Sequence, residues 1–157
     1  MLSVDKLLAL IEAMNREGVE YVVFGAIAMA VHGLPRATED ADFFVRPERE
    51  NIERLRRAIR SVWDDPEIEG ITYEDLAGEY PAVRYGPLDE EFTLDFLTRL
   101  GEAFQYDTLA WEQATIEGTP VRVVTPAMLY EMKKDTTRFK DRIDAEALRR
   151  KFGIGEE

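Results

Sequence analysis

Between Tyr21 and Val45, two short β-rich runs bracket a helical segment of small residues, and the glycines between them fix how the chain must turn. Tyr21-Val-Val-Phe24 stops at Gly25, Ala26 to His32 is rich in small helix formers and stops at Gly33, and Asp40 to Val45 resumes as a strand. A strand that ends in glycine and turns at once into a helix leaves backbone N–H groups, and the positive end of the helix dipole, facing whatever lies beyond it. That is a seat for phosphate. In the second run Asp40 and Asp42 alternate with Ala41, so both carboxylates project from one face, roughly 7 Å apart along the chain. Two aspartates at this spacing can share a pair of divalent cations about 3.5–4 Å apart, the arrangement used for in-line phosphoryl and nucleotidyl transfer. Phe92-Thr-Leu-Asp-Phe-Leu97 adds a third carboxylate: with Phe92, Leu94 and Phe96 toward a core, Asp95 stands on the opposite face.

The remaining elements enclose this stretch. Val4, Leu7, Leu8, Ile11 and Met14 fall at helical spacing over residues 3–16, and the helix ends at Gly18. Pro47, followed by Glu48, Glu50 and Glu53, opens a third helix running to about Val62, with acids at the end where the dipole favours them. Ala82 to Tyr85 and Glu91 to Leu97 read as two strands joined around Gly86-Pro87, and residues 113–124 as a hairpin folded at Glu117-Gly-Thr-Pro120. Thr125-Pro126 pairs a capping threonine with a first-turn proline and starts a helix to about Lys134. A last helix runs from Asp141 to Phe152 and stops at Gly153. Asp64 to Glu79, with seven acids, no base, Pro66, Gly70 and Gly78, reads as an irregular surface excursion. Trp63 and Trp111 are expected to be packing residues, since no basic stacking platform surrounds them. Strands do not alternate regularly with helices, so the expectation is an α/β (α+β) fold with a mixed or antiparallel sheet flanked by helices. The 157 residues form a single domain, with a core over about 18–124 and a helical C-terminal segment over about 125–152.

Composition narrows the chemistry. There is no cysteine and one histidine, so thiolate metal sites are excluded and a metal must be held by oxygen ligands or by His32; oxygen ligands point to Mg²⁺ or Mn²⁺. The longest nearly uncharged apolar run, Tyr21 to Val31, is far short of the ~20 residues a bilayer requires, so no membrane partner is expected and a cytoplasmic location is the simplest expectation. A net charge of −12 argues against a surface that grips long nucleic acid through many phosphates. The charge is uneven, however: residues 133–151 hold eight Lys/Arg against four acids, one basic segment on an acidic body.

With the glycine turn, His32-Gly33, Arg36, Thr38, Asp40-x-Asp42 and the later Asp95 assembled, the chain resembles the DNA polymerase β-like nucleotidyltransferases. Within them it looks like the minimal bacterial enzymes of the AbiEii-type toxin branch and the antibiotic nucleotidyltransferases. The tail Met132-Lys-Lys-Asp-Thr-Thr-Arg-Phe-Lys-Asp-Arg-Ile-Asp144 is similar to the Lys-x-x-x-Arg-x-x-Asp segment of those proteins. The resemblance implies transfer of a nucleoside monophosphate from an NTP to a hydroxyl, with release of pyrophosphate. Asp40, Asp42 and Asp95 would be catalytic and ligate Mg²⁺ or Mn²⁺. Gly25, Ala26, Arg36, Thr38, Lys134 and Arg138 would bind the nucleotide, the last two by placing positive charge on its phosphates. The acceptor stays open among a tRNA end, a protein hydroxyl and a small molecule, as do a homo-oligomer and a toxin or antitoxin partner. Ala26 departs from the family's Gly-Gly or Gly-Ser pair: it keeps the backbone N–H, adds a methyl and lacks a hydroxyl. This departure keeps a second reading in view, a catalytically degenerate nucleotidyltransferase fold acting as a binding or antitoxin module. His32, alone at a helix end, is the kind of histidine that serves as a hydrogen-bonding or capping group.

Overall fold

The computed structural model describes residues 3–35 and 37–155. In chain order the elements are α1 (Val4–Glu17), β1 (Tyr21–Phe24), α2 (Gly25–Val31), β2 (Asp40–Val45), α3 (Arg49–Arg60), α4 (Tyr73–Leu76), β3 (Ala82–Tyr85), β4 (Thr93–Leu97), β5 (Arg99–Leu100), β6 (Phe104–Gln105), β7 (Trp111–Ile116), β8 (Thr119–Val124), α5 (Pro126–Lys133) and α6 (Phe139–Phe152). Single 3₁₀ turns at Pro66–Gly70 and Tyr106–Thr108 complete the chain. Six strands form one mixed sheet in the order β3-β4-β2-β1-β8-β7, and β5-β6 make a separate two-stranded ribbon. β1 runs antiparallel to β2 and parallel to β8, and β2 runs parallel to β4.

Period-two alternation divides the sheet's two faces. Tyr21, Phe43 and Phe96 point one way, where Phe43 and Phe96 stack with centroids 5.5 Å apart and Tyr21 meets Phe43 edge-on. This face is covered by α1, whose Leu7, Leu10, Ile11 and Met14 are buried, and by α3, which packs against α1. The Tyr21 hydroxyl donates to Asn15 Oδ1 of α1 at 2.8 Å, tying the helix to the strand. Asn51 of α3, itself buried, accepts from the Glu20 amide and donates to the Glu20 and Arg46 carbonyls, clamping the antiparallel pair where β1 begins. The other face carries Asp40, Asp42 and Asp95.

Capping chemistry accounts for the helix limits. Ser3 accepts from the Lys6 amide at the start of α1, and Gly18 closes that helix at φ 73°. Thr125 accepts from the Met128 amide with Pro126 in the first turn of α5. The β7–β8 hairpin is tighter than the four-residue turn expected from sequence: Glu117 (φ 47°) and Gly118 (φ 86°) alone make the loop. Two successive positive φ values match the right-handed twist of the flanking strands. Pro47 lies outside α3, because Glu48 is extended and the helix starts at Arg49.

The stretch from Asp64 to Glu79 is more ordered than its composition implied. Its Ile68, Ile71 and Leu76 are part of the core, and Asp65 is buried, accepting from the Tyr85 hydroxyl at 2.7 Å and the Glu67 amide at 2.9 Å. Trp63 is buried against Phe92, whereas Trp111 is 45% exposed with the Arg122 guanidinium 5.3 Å from its ring, so only the first packs as expected. No helix among the described residues is long and apolar enough to cross a membrane.

Candidate active site

The sheet register brings the acidic residues together. Asp42 lies opposite Phe24 on one side and in register with Asp95 on the other, and Asp40 is two residues back on the same face. Asp42 and Asp95 therefore face each other across the β2–β4 pair. Burial, followed by the charges of Asp95 and Asp40, raises the Asp42 pKa from 3.8 to about 7, and Lys133 opposes this. The site thus has an excess of negative charge that its own cations do not balance.

Two local devices set this geometry. Gly25 sits at φ 68°, in the left-handed region, and a Cβ there would lie 2.1 Å from Asp42 Oδ2. Glycine is required on both counts, and its lack of a side chain lets the aspartate rest against the backbone that opens α2. Thr38 prepares β2: its hydroxyl accepts from the Asp40 amide at 3.1 Å and donates to the Asp40 carbonyl at 2.9 Å. The Thr93 hydroxyl donates to Asp40 Oδ1, and Arg84 grips Asp95 with both a nitrogen to Oδ1 and a nitrogen to Oδ2.

The basic tail contributes differently from the sequence expectation. Lys134 points to the surface and pairs with Glu131 at 3.0 Å. Arg138 is exposed at the start of α6, with its Nε 3.9 Å from Asp141. It is Lys133 that turns inward, with Nζ 2.9 Å from Asp144 and 3.2 Å from Asp141, close enough to act on Asp42. Burial pushes Asp141 up, but the Thr136 hydroxyl and Lys133 outweigh it and leave its pKa below the usual value. Helical phase was the signal for this lysine: Leu129, Met132 and Lys133 stand at i, i+3 and i+4, on one buried face. Ala26 occupies the first turn of α2, where Phe24 provides no side-chain cap. Arg36 lies outside the described residues. The His32 ring is tied structurally, Nε2 standing 2.7 Å from the Val124 carbonyl.

A hard cation fits this donor set, which offers carboxylate oxygens on one sheet face and no soft ligand. Among the described residues, no three such side chains yet converge on a single point. Thr93 engages Asp40 and Arg84 engages Asp95 in this arrangement. Next to this cluster, the turn from α2 into β2 and the face of α6 border an open groove of about 500 Å³, mostly apolar, with Met29, Leu34 and Ile143 in its lining and Asp144 shared with the Lys133 cluster.

A mixed sheet with Asp-x-Asp on β2, a third aspartate on the adjoining strand and a glycine turn into a short helix defines the nucleotidyltransferase class. The chain belongs to the AbiEii nucleotidyltransferase family: residues 9–155 match the family described as nucleotidyl transferase AbiEii toxin, type IV TA system. Solved structures share the fold. ANT(2")-Ia, determined in complex with adenylyl-2"-tobramycin, superposes at a TM-score of 0.56 with 14% identity over 95% of this chain and 90% of that one. An antigenic nucleotidyltransferase-like protein from Paracoccidioides brasiliensis superposes at 0.57 with 16% identity over 94% and 77%. No curated protein matches the chain in sequence.

Proposed function

We propose that the chain is a divalent-cation-dependent nucleotidyltransferase that moves a nucleoside monophosphate from an NTP to a hydroxyl and releases pyrophosphate. The observation that carries this is the Asp40–Asp42–Asp95 face, three carboxylates brought together by the sheet register, where burial and then the charges of Asp95 and Asp40 raise the Asp42 pKa to about 7. In this reading Asp40, Asp42 and Asp95 hold Mg²⁺ or Mn²⁺. The bound cation supplies Lewis-acid neutralisation of the α-phosphate and acidifies the attacking hydroxyl. The chain's own groups do the positioning. Backbone N–H groups at Gly25 and Ala26 receive phosphate oxygens, and Asp95 orients the acceptor hydroxyl and accepts its proton. Lys133, held by Asp141 and Asp144, places its ammonium on the side of α5. Thr38 serves the nucleotide indirectly, by holding Asp40 in place, and Arg36, Lys134 and Arg138 remain proposed nucleotide contacts from the sequence pattern.

Family membership supports a toxin role within a toxin–antitoxin pair, and growth arrest on expression, lost in Asp42→Ala, tests it. The chemistry is tested by incubating the protein and each of four α-labelled NTPs with total tRNA, cell lysate or the protein alone. A labelled product identifies nucleotide and acceptor together. Calorimetry should detect Mg²⁺-NTP binding that Asp42→Ala greatly weakens. Equal binding by the variant removes the proposed site, and binding without transfer in any combination favours the non-catalytic module.

A further inference from the structure

Asp95 has both carboxylate oxygens engaged before any cation arrives. Arg84, directly opposite in the antiparallel β3–β4 register, donates from Nε to Oδ1 at 2.7 Å and from Nη2 to Oδ2 at 3.1 Å. The arginine side chain is 66% exposed and the aspartate 18%, so the guanidinium lies over the solvent side of the carboxylate. Its field environment agrees: the Arg84 pKa is raised by the hydrogen bond and charge of Asp95, then by Asp40 and Asp42. One guanidinium therefore holds Asp95 directly and lies within the electrostatic field of Asp40 and Asp42. A forked guanidinium and a divalent cation use the same lone pairs, so both cannot hold Asp95 in this way at once.

We propose that Arg84 is a resident counter-ion that occupies Asp95 until a divalent cation displaces it, and that it thereby sets the cation affinity of the site. The inference rests on the reading of Asp40, Asp42 and Asp95 as cation ligands. An exposed ion pair of this kind changes an equilibrium by a factor of roughly 1.4–5. That is weak enough for a dication to overcome and large enough to measure. The positive charge left near the bound cation acts in the same direction, so removing the arginine favours the metal twice. A residue that merely braced Asp95 in the right orientation would act in the opposite direction, because its loss would weaken cation binding.

The test is Mn²⁺ titration of the nucleotide-free full chain, followed by electron paramagnetic resonance, in wild type, Arg84→Met, Arg84→Lys and Asp42→Asn. Arg84→Met is expected to bind Mn²⁺ about threefold tighter or more, given the strength of the pair it removes. Arg84→Lys, which keeps charge but loses the fork, should fall between. Asp42→Asn should lose the binding. In EDTA, Arg84→Met should melt below wild type, and saturating Mn²⁺ should remove that difference. Equal or weaker Mn²⁺ binding by Arg84→Met, with wild-type binding intact, overturns the counter-ion role and leaves the cation site standing. Absence of Mn²⁺ binding in every variant, or binding that Asp42→Asn leaves unchanged, removes the cation site and the counter-ion role with it.

Discussion

Asp42→Asn should inactivate the protein and stabilise it, and the stabilisation should depend on pH with a defined sign. Below about pH 4 the Asp42 carboxyl is protonated in both the folded and the unfolded chain, so the group costs nothing. Between 3.8 and about 7 the unfolded chain releases this proton while the folded chain retains it, and folded stability falls as pH rises. Above about 7 the folded carboxylate must ionise against burial and against Asp95 and Asp40, and the penalty is complete. Holding the proton to that pH sets an upper limit of about 4 kcal/mol. The open sheet face admits water and the three carboxylates share the charge, which brings the expected value to about 2 kcal/mol. Asparagine has the same shape and no charge to lose. For a domain of this size that corresponds to a melting temperature about 4–8 °C above wild type at pH 8, shrinking toward zero at pH 4. Differential scanning calorimetry in EDTA at both pH values reads the difference. Adding Mn²⁺ at pH 8 should raise wild type and narrow the gap. An asparagine variant that melts at or below wild type at pH 8, or whose gain is the same at pH 4, refutes the reasoning.

Gly25→Ala should lower both stability and nucleotide binding, because a left-handed non-glycine residue costs about 1–2 kcal/mol before its methyl meets Asp42 Oδ2; thermal melting and calorimetry with Mg²⁺-NTP check it. Lys133→Met should be among the more damaging substitutions, at about 3 kcal/mol, since it removes the ammonium 2.9 Å from Asp144 and 3.2 Å from Asp141, both poorly exposed. Urea midpoints measure this, and Lys134→Met should be nearly silent in the same assay. Tyr85→Phe removes the hydroxyl that donates to buried Asp65 and should cost about 1–3 kcal/mol, with transfer activity unchanged because the pair lies outside the carboxylate face.

Local features of this chain were legible wherever they rest on local rules. α1 followed from apolar spacing and its glycine stop, α5 from Thr125-Pro126, and the alternation in Phe92–Leu97 correctly placed Phe92, Leu94 and Phe96 in the core. The mixed sheet was expected, but its strand order was not, because pairing β1 with β8 joins residues 100 positions apart, Val23 with Val123, and no local pattern encodes that register. The same limit hid Arg84. Its partnership with Asp95 exists only once β3 and β4 are aligned. Lys133 differs, since helical phase marks it as inward-facing, while counting basic residues along the tail directs attention to Lys134. Asp64–Glu79 was misjudged for a related reason: its charges outnumber the Ile68, Ile71 and Leu76 side chains that anchor it, and it is those three that decide where the segment sits.

The pairing of β1 with β8 also bears on how the chain assembles. β1, α2 and β2 are neighbours in sequence and can associate early, which puts Asp40 and Asp42 on the strand beside the glycine turn that ends β1. Closing the sheet's centre must wait for a chain segment 100 residues later, and such long closures slow the approach to the native state. Lys133 comes still later, in the helix that follows β8. On this ordering the negative side of the site forms before its inward lysine, so alkaline conditions, which ionise Asp42 while Lys133 is still absent, should slow the early stage of refolding more than the last. A chain in which Lys133 has come to lie beside the acidic face is one in which α5 and α6 have already docked.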